Sequence, residues 1–125
     1  MANVSQYFDF IKAKGNPLKD INPGSKELSL NYKDALKAVE LLKDCMCPIL
    51  GGDILSEKQG IFGYAYQLWG SEYHCLNWYC EKLDDENGNA YCIRSYEIAK
   101  AAIENANKVA IKLGYSCYIV LVIQG

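Results

Sequence analysis

The chain has 125 residues, 50% of them hydrophobic and 22% charged, with 13 basic against 15 acidic side chains for a net charge of −2. A chain of this size buries roughly two-thirds of the surface that its unfolded form exposes, so one domain over residues 1–125 needs neither a metal nor a disulfide to fold. The slightly acidic balance supplies no general field for phosphates, which argues against nonspecific nucleic-acid binding.

Met1 to Phe10 holds no basic leader and no unbroken apolar run, so no secretory signal is expected. Val4, Tyr7, Phe8 and Ile11 recur at helical spacing before Gly15, which predicts a short amphipathic helix. Asn16 to Lys26 contains Pro17, Pro23 and Gly24 and reads as a loop. Ala35, Leu36, Val39, Leu42 and Met46 predict a second helix, with Ser29 or Asn31 as its cap acceptor. Pro48 to Leu55 reads as a strand interrupted by Gly51-Gly52, where a bulge or a close backbone approach is expected because glycine has no Cβ.

Ile61 to Trp69 alternates Tyr64, Tyr66 and Leu68 against Ala65 and Gln67, which fits a further strand or an ordered loop. Glu72 to Lys82 carries a stronger strand signal, with His74, Leu76, Trp78 and Cys80 on one parity and Tyr73, Cys75, Asn77 and Tyr79 on the other. Asp84 to Asn89 is a polar turn. Its Asn87-Gly88 pair suits positive φ angles, so Tyr91 to Ile93 is expected to pair back on the preceding strand. Ser95 is the expected cap of a long helix with Ala99, Ala102, Ile103, Ala106, Val109, Ala110 and Leu113 as its buried stripe and Gly114 as its stop. Tyr115 to Ile123 reads as a strand near the sheet centre, and its apolar stretch is far too short to span a bilayer. This order predicts an α+β fold, a mainly antiparallel sheet of about four strands packed against two to three helices.

A cytoplasmic location without membrane association follows from these features, and there the six cysteines, Cys45, Cys47, Cys75, Cys80, Cys92 and Cys117, are expected as free thiols. Zinc is the alternative: Cys45 and Cys47 offer a pair of thiolates, and His74, Cys75 and Cys80 further donors. One intervening residue is short for a zinc knuckle and no second knuckle follows, so buried thiols acting as small hydrophobes fit better. A Cys–His nucleophile is weaker still. His74 and Cys75 would point to opposite faces of a strand, leaving Cys80 or a distant thiol, and no glycine-rich nucleophile turn is visible.

Gly51-Gly52-Asp53 lacks the pattern of a phosphate or dinucleotide loop and reads as a bulge with Asp53 bonding nearby amides. Asp84, Asp85 and Glu86 lack the alternating ligands of a calcium loop and read as a solvated tip. The 10 tyrosines and 2 tryptophans are the unusual quantity. Tyrosine and tryptophan combine large contact area with a polar atom, so Tyr64, Tyr66, Trp69 and Glu72 form a candidate recognition surface, with the rim of the core as the alternative.

The helix Ala35 to Leu42 leading into Pro48-Ile49-Leu50-Gly51-Gly52-Asp53, then Asn77-Trp78-Tyr79-Cys80 and Arg94-Ser95-Tyr96 before the long helix, resembles the bacterial polymorphic-toxin immunity family called immunity protein 40. The likeness runs from about Leu28 to Ile123. It implies a small cytoplasmic α+β protein, without catalysis or cofactor, that binds the C-terminal domain of a cognate toxin and blocks it. Asp53, Tyr64, Tyr66, Trp69, Glu72, Asp84, Asp85 and Glu86 are the expected toxin-binding residues. A zinc-binding adaptor using Cys45, Cys47, Cys75 or Cys80 is the alternative function.

Overall fold

The computed structural model describes residues 3–18 and 21–123. Helix α1 (Val4–Lys14) is opened by Asn3, whose side chain accepts from the Ser5 N–H at 2.9 Å, and buries Tyr7. Strands β1 (Asn16–Pro17) and β2 (Leu28–Asn31) lead to α2 (Tyr32–Asp44), capped by Asn31 Oδ1 accepting from the Asp34 N–H at 2.9 Å. Ala35, Ala38, Val39 and Leu42 are its buried face. The long strand β3 (Ile49–Lys58) turns into β4 (Ile61–Tyr64), followed by the short helix α3 (Ala65–Trp69), a 3-10 turn (Ser71–Leu76) and β5 (Trp78–Tyr79). Helix α4 (Gly88–Leu113) and strand β6 (Tyr118–Ile123) complete the chain.

Among the described residues six strands form one sheet, five in the order β1-β2-β6-β3-β4 with β5 also paired to β3, every pairing antiparallel. Strand β3 is central. It pairs with β6 along one edge, while its other edge is shared by β4, opposite Leu55 to Lys58, and β5, opposite Gly51 and Gly52. Asp53 and Ile54 lie between the two partners, and there the Ile54 N–H donates to Asn77 Oδ1 at 2.8 Å.

Side-chain alternation gives the sheet two different faces. Ile49, Ile54, Ile119, Leu121 and Leu30 are buried with the inner stripes of α2 and α4, where Ala99, Ile103, Ala106 and Ala110 are fully enclosed. Alanines on this stripe let the long helix lie close to α2 and the sheet, and each enclosed leucine or isoleucine contributes about 1.5–3 kcal/mol. On the other face a second cluster joins Leu55 and Val120 to Leu18, with Ile21, Phe62, Tyr64 and Tyr118 at its margin.

The α+β architecture and antiparallel sheet agree with expectation, but the described residues form six strands instead of about four and five helical elements instead of two to three. Residues 72–82 are not one strand. The 3-10 turn buries Leu76, and within this segment only Trp78–Tyr79 pairs with β3 as a strand, since β4 already occupies that edge from Leu55 onward. Asn87-Gly88 is no hairpin turn: Asn87 caps α4, its Oδ1 accepting from the Ala90 N–H at 2.8 Å, so Tyr91 to Ile93 are helical. Ser95 therefore lies inside the helix, fully buried, where its Oγ accepts from the Ile49 N–H at 3.0 Å and donates to the Cys92 carbonyl at 2.8 Å. Ile61 to Trp69 divides into strand and helix, and the expected loop before α2 contains β1 and is followed by β2. The bulge falls at Leu50, where the β3–β6 register shifts between Ile49 and Gly51.

Candidate functional site

The β3–β4 hairpin positions the site. Its two-residue turn places Gln59 at φ 53° and Gly60 at φ 81°, the pair of positive angles whose twist matches the flanking strands. Lys58 then pairs with Ile61 and Leu55 with Tyr64. Residues paired across an antiparallel ladder share a face, so Tyr64 stands beside Leu55 and Tyr118. Asp53 stands beside Val120, and exposed Tyr79 and Val122 flank Gly51. All lie opposite α2 and α4.

Asp53 occupies the break between β4 and β5, half-buried. Burial pushes its carboxyl above the usual aspartate range, and His74 partly offsets this. Tyr64 and Tyr66 stack with ring centres 5.8 Å apart at 23°, and Tyr66 meets the edge of His74 at 4.7 Å. Desolvation, then the charges of Asp53 and Glu27, raise the Tyr64 hydroxyl above its ordinary value. Two carboxylates, Asp53 and Glu27, therefore act on a stacked pair of tyrosines. The face can accept a cation by charge and ring-face contact together.

The other expected residues are placed elsewhere. Trp69 turns to the helix side, where its Nε1 donates to Ser56 Oγ at 3.1 Å and its ring stacks on Tyr115 at 6.4 Å and meets Tyr73 edge-on at 5.7 Å. It anchors α3 to the sheet. Glu72 is exposed on the 3-10 turn, its carboxylate against Gly70, and Asp84 and Asp85 are exposed before α4. Glu86 holds Arg94 in a two-pronged pair, with Nε and Nη2 each donating at 2.7 Å, and accepts from the Leu83 N–H. Arg94 Nη2 also donates to the Glu81 carbonyl at 2.5 Å, so the clamp ties residues 81–86 to the first turns of α4. His74 was not among the expected binding residues. Only the folding of Tyr66 and the 3-10 turn onto one side brings it to Asp53.

The Arg94 guanidinium beside Glu86 holds that carboxyl down at about 2. Its stabilisation is complete above the ordinary value of 4.5 and is lost as pH falls toward 2. Glu86→Gln should therefore lower the melting temperature at neutral pH, with the gap to wild type closing on acidification. Thermal melts across that range check this, and a gap independent of pH would show that the charge of Glu86 contributes nothing.

The thiols do not assemble a metal site: among the described residues no group of three or more His, Cys, Asp or Glu is arranged to hold an ion. Cys75 sits exposed on the 3-10 turn and Cys80 is buried beyond β5, while Cys45 and Cys47 follow α2. The zinc alternative on Cys45, Cys47, Cys75 and Cys80 therefore finds no donor set among the described residues. Burial raises the Cys47 and Cys80 thiols and pushes Cys117 up to about 12, the opposite direction from an activated nucleophile. A cleft of about 550 Å³ lined by Met46, Pro48, Leu50, Lys82, Tyr91 and Cys92 holds none of the expected binding residues.

These features define an α+β protein whose distinctive surface is an acidic, aromatic sheet face. The family model of immunity protein 40 matches residues 17–123, and the chain belongs to that family of toxin-system immunity proteins. No curated protein and no solved structure matches it. Among the described residues no helix is long and apolar enough to cross a membrane.

Proposed function

We propose that this chain is a cytoplasmic bacterial immunity protein, acting as one domain, that neutralises the C-terminal domain of a cognate polymorphic toxin by forming a stoichiometric complex. The family match over residues 17–123 carries this reading. The binding surface is the sheet face with Asp53, Tyr64 and Tyr66, extended by Tyr79 and Val122, where rigid aromatic area surrounds a carboxylate. Glu72, Asp84 and Asp85 add exposed negative charge, which speeds encounter with a basic partner. Trp69 and Glu86 act structurally, through the Ser56 bond and the Arg94 clamp. Inhibition works by occupancy and needs no bond-making step.

The experiment is titration of the purified protein into the toxin C-terminal domain encoded beside it, following heat and toxin activity together. One-to-one binding with loss of activity is the expected result, with an association rate that falls as salt rises. Two folded proteins that do not bind would overturn the proposal.

A further inference from the structure

The outer edge of β3 changes partner at Asp53. Strand β4 ends its pairing at Leu55 and β5 begins at Gly52, so Asp53 has no strand partner on that edge, and its half-buried carboxylate stands on the face opposite α2 and α4. Among the described residues the one ion pair joins Arg94 to Glu86, so no fixed cation answers Asp53. His74 is the group acting on it with opposite sign, and it is exposed and engaged by its edge with Tyr66. Val120 stands directly beside Asp53, Tyr64 lies within reach of its charge, and Tyr66 stacks on Tyr64. A half-buried carboxylate with no ion-pair partner in contact is costly in the free protein and becomes favourable once a partner supplies the charge.

We propose that the notch at Asp53 receives the guanidinium of one arginine side chain from the partner protein, the carboxylate pairing with it while the Tyr64 and Tyr66 rings cover its plane. This rests on the toxin-binding reading and specifies the chemistry of that same face. Guanidinium fits better than ammonium for three reasons. It is planar and can stack on a tyrosine face, it offers parallel N–H groups to both carboxylate oxygens, and it sheds water more readily beside an apolar residue such as Val120. The negative field that Asp53 and Glu27 exert on Tyr64 disfavours an anionic occupant, and for the same reason it disfavours the identical face of a second copy.

The test uses two measurements on the intact protein. In the first, N-acetyl-arginine amide and N-acetyl-lysine amide are titrated separately into labelled protein while backbone amide resonances are followed. The expected result is a set of shifts confined to Asp53, Ile54, Tyr64, Tyr66 and His74. They should be several-fold larger for the arginine probe and absent in Asp53→Asn. Equal responses to both probes, a scattered response, or one that survives in Asp53→Asn would overturn the inference. In the second, the toxin domain is bound by wild type, by Asp53→Asn and by Glu97→Gln, a change at an exposed position on α4. Loss of roughly 100-fold in affinity for Asp53→Asn alone, expressed as faster dissociation, is expected. Wild type that ignores the toxin domain while retaining the arginine response overturns the functional reading only. Wild type that binds it no better than Asp53→Asn overturns the arginine site only.

Discussion

Gly51→Ala should destabilise the protein by roughly 3 kcal/mol, lowering its melting temperature by about 10 °C. A Cβ at Gly51 would strike the backbone carbonyl of Trp78, with the Tyr79 Cα only 3.3 Å away. Backbone cannot step aside as a side-chain tip can. Strand β5 would have to leave β3, giving up its pairing at Gly51 and Gly52, the Cys80 N–H bond to the Leu50 carbonyl at 2.7 Å, and the seat of Trp78 across the sheet. Gly52 is closed for a related reason: its Cβ would enter the Trp78 ring, with Cζ3 at 2.6 Å. Gly88 is the control. A Cβ there meets nothing within 4 Å, and alanine near the start of α4 should be neutral or stabilising by about 0.4–1 kcal/mol. Chemical denaturation of the three proteins measures the contrast. A loss under 1 kcal/mol at Gly51 would mean that β5 is not held as described.

The second large effect is of opposite sign in stability and in function. Asp53→Asn should raise the melting temperature of the free protein at neutral pH while weakening its complex. Burial raises the folded-state pKa of Asp53 above its ordinary 3.8, so the folded protein favours the protonated carboxyl. Any stability from that protonation is fully present below 3.8 and is lost as pH rises through the elevated folded value. At neutral pH wild type therefore carries a desolvated charge, only partly offset by His74, that asparagine removes. The two melting curves should converge on acidification, the reverse of the Glu86 case, where a lowered pKa makes the charge stabilising. Melts of both proteins over pH check the sign. A variant less stable than wild type at neutral pH would identify Asp53 as a structural residue. Strain relieved by mutation, together with binding lost, is the pattern expected of a group kept for recognition.

The sequence by itself determined the elements whose signal is local. The stripes Ala35 to Leu42 and Ala99 to Ala110 bury the faces their spacing predicts, because helical periodicity needs only neighbours three and four positions away. Gly114 closes α4 at φ 82°, and the uncharged run ending at Ile123 lies inside the sheet between β2 and β3. The family resemblance was legible too, since it rests on residue order. Tertiary structure alone decided the rest. Asn87-Gly88 is equally suited to a hairpin turn and to a helix cap, and packing of Tyr91, Ser95 and Tyr96 into the core selects the cap. The alternation over residues 72–82 yields two paired residues because β4 already holds the edge that a longer strand would need. Asp53, Tyr64, Tyr66 and His74 meet through the hairpin register and the turns that follow it, whereas Trp69, at the end of α3, bonds to Ser56 on the helix side of the sheet. Spacing along a chain states which residues are near in sequence; which of them share a surface is set by strand pairing between distant segments, and that energy belongs to the sheet as a whole.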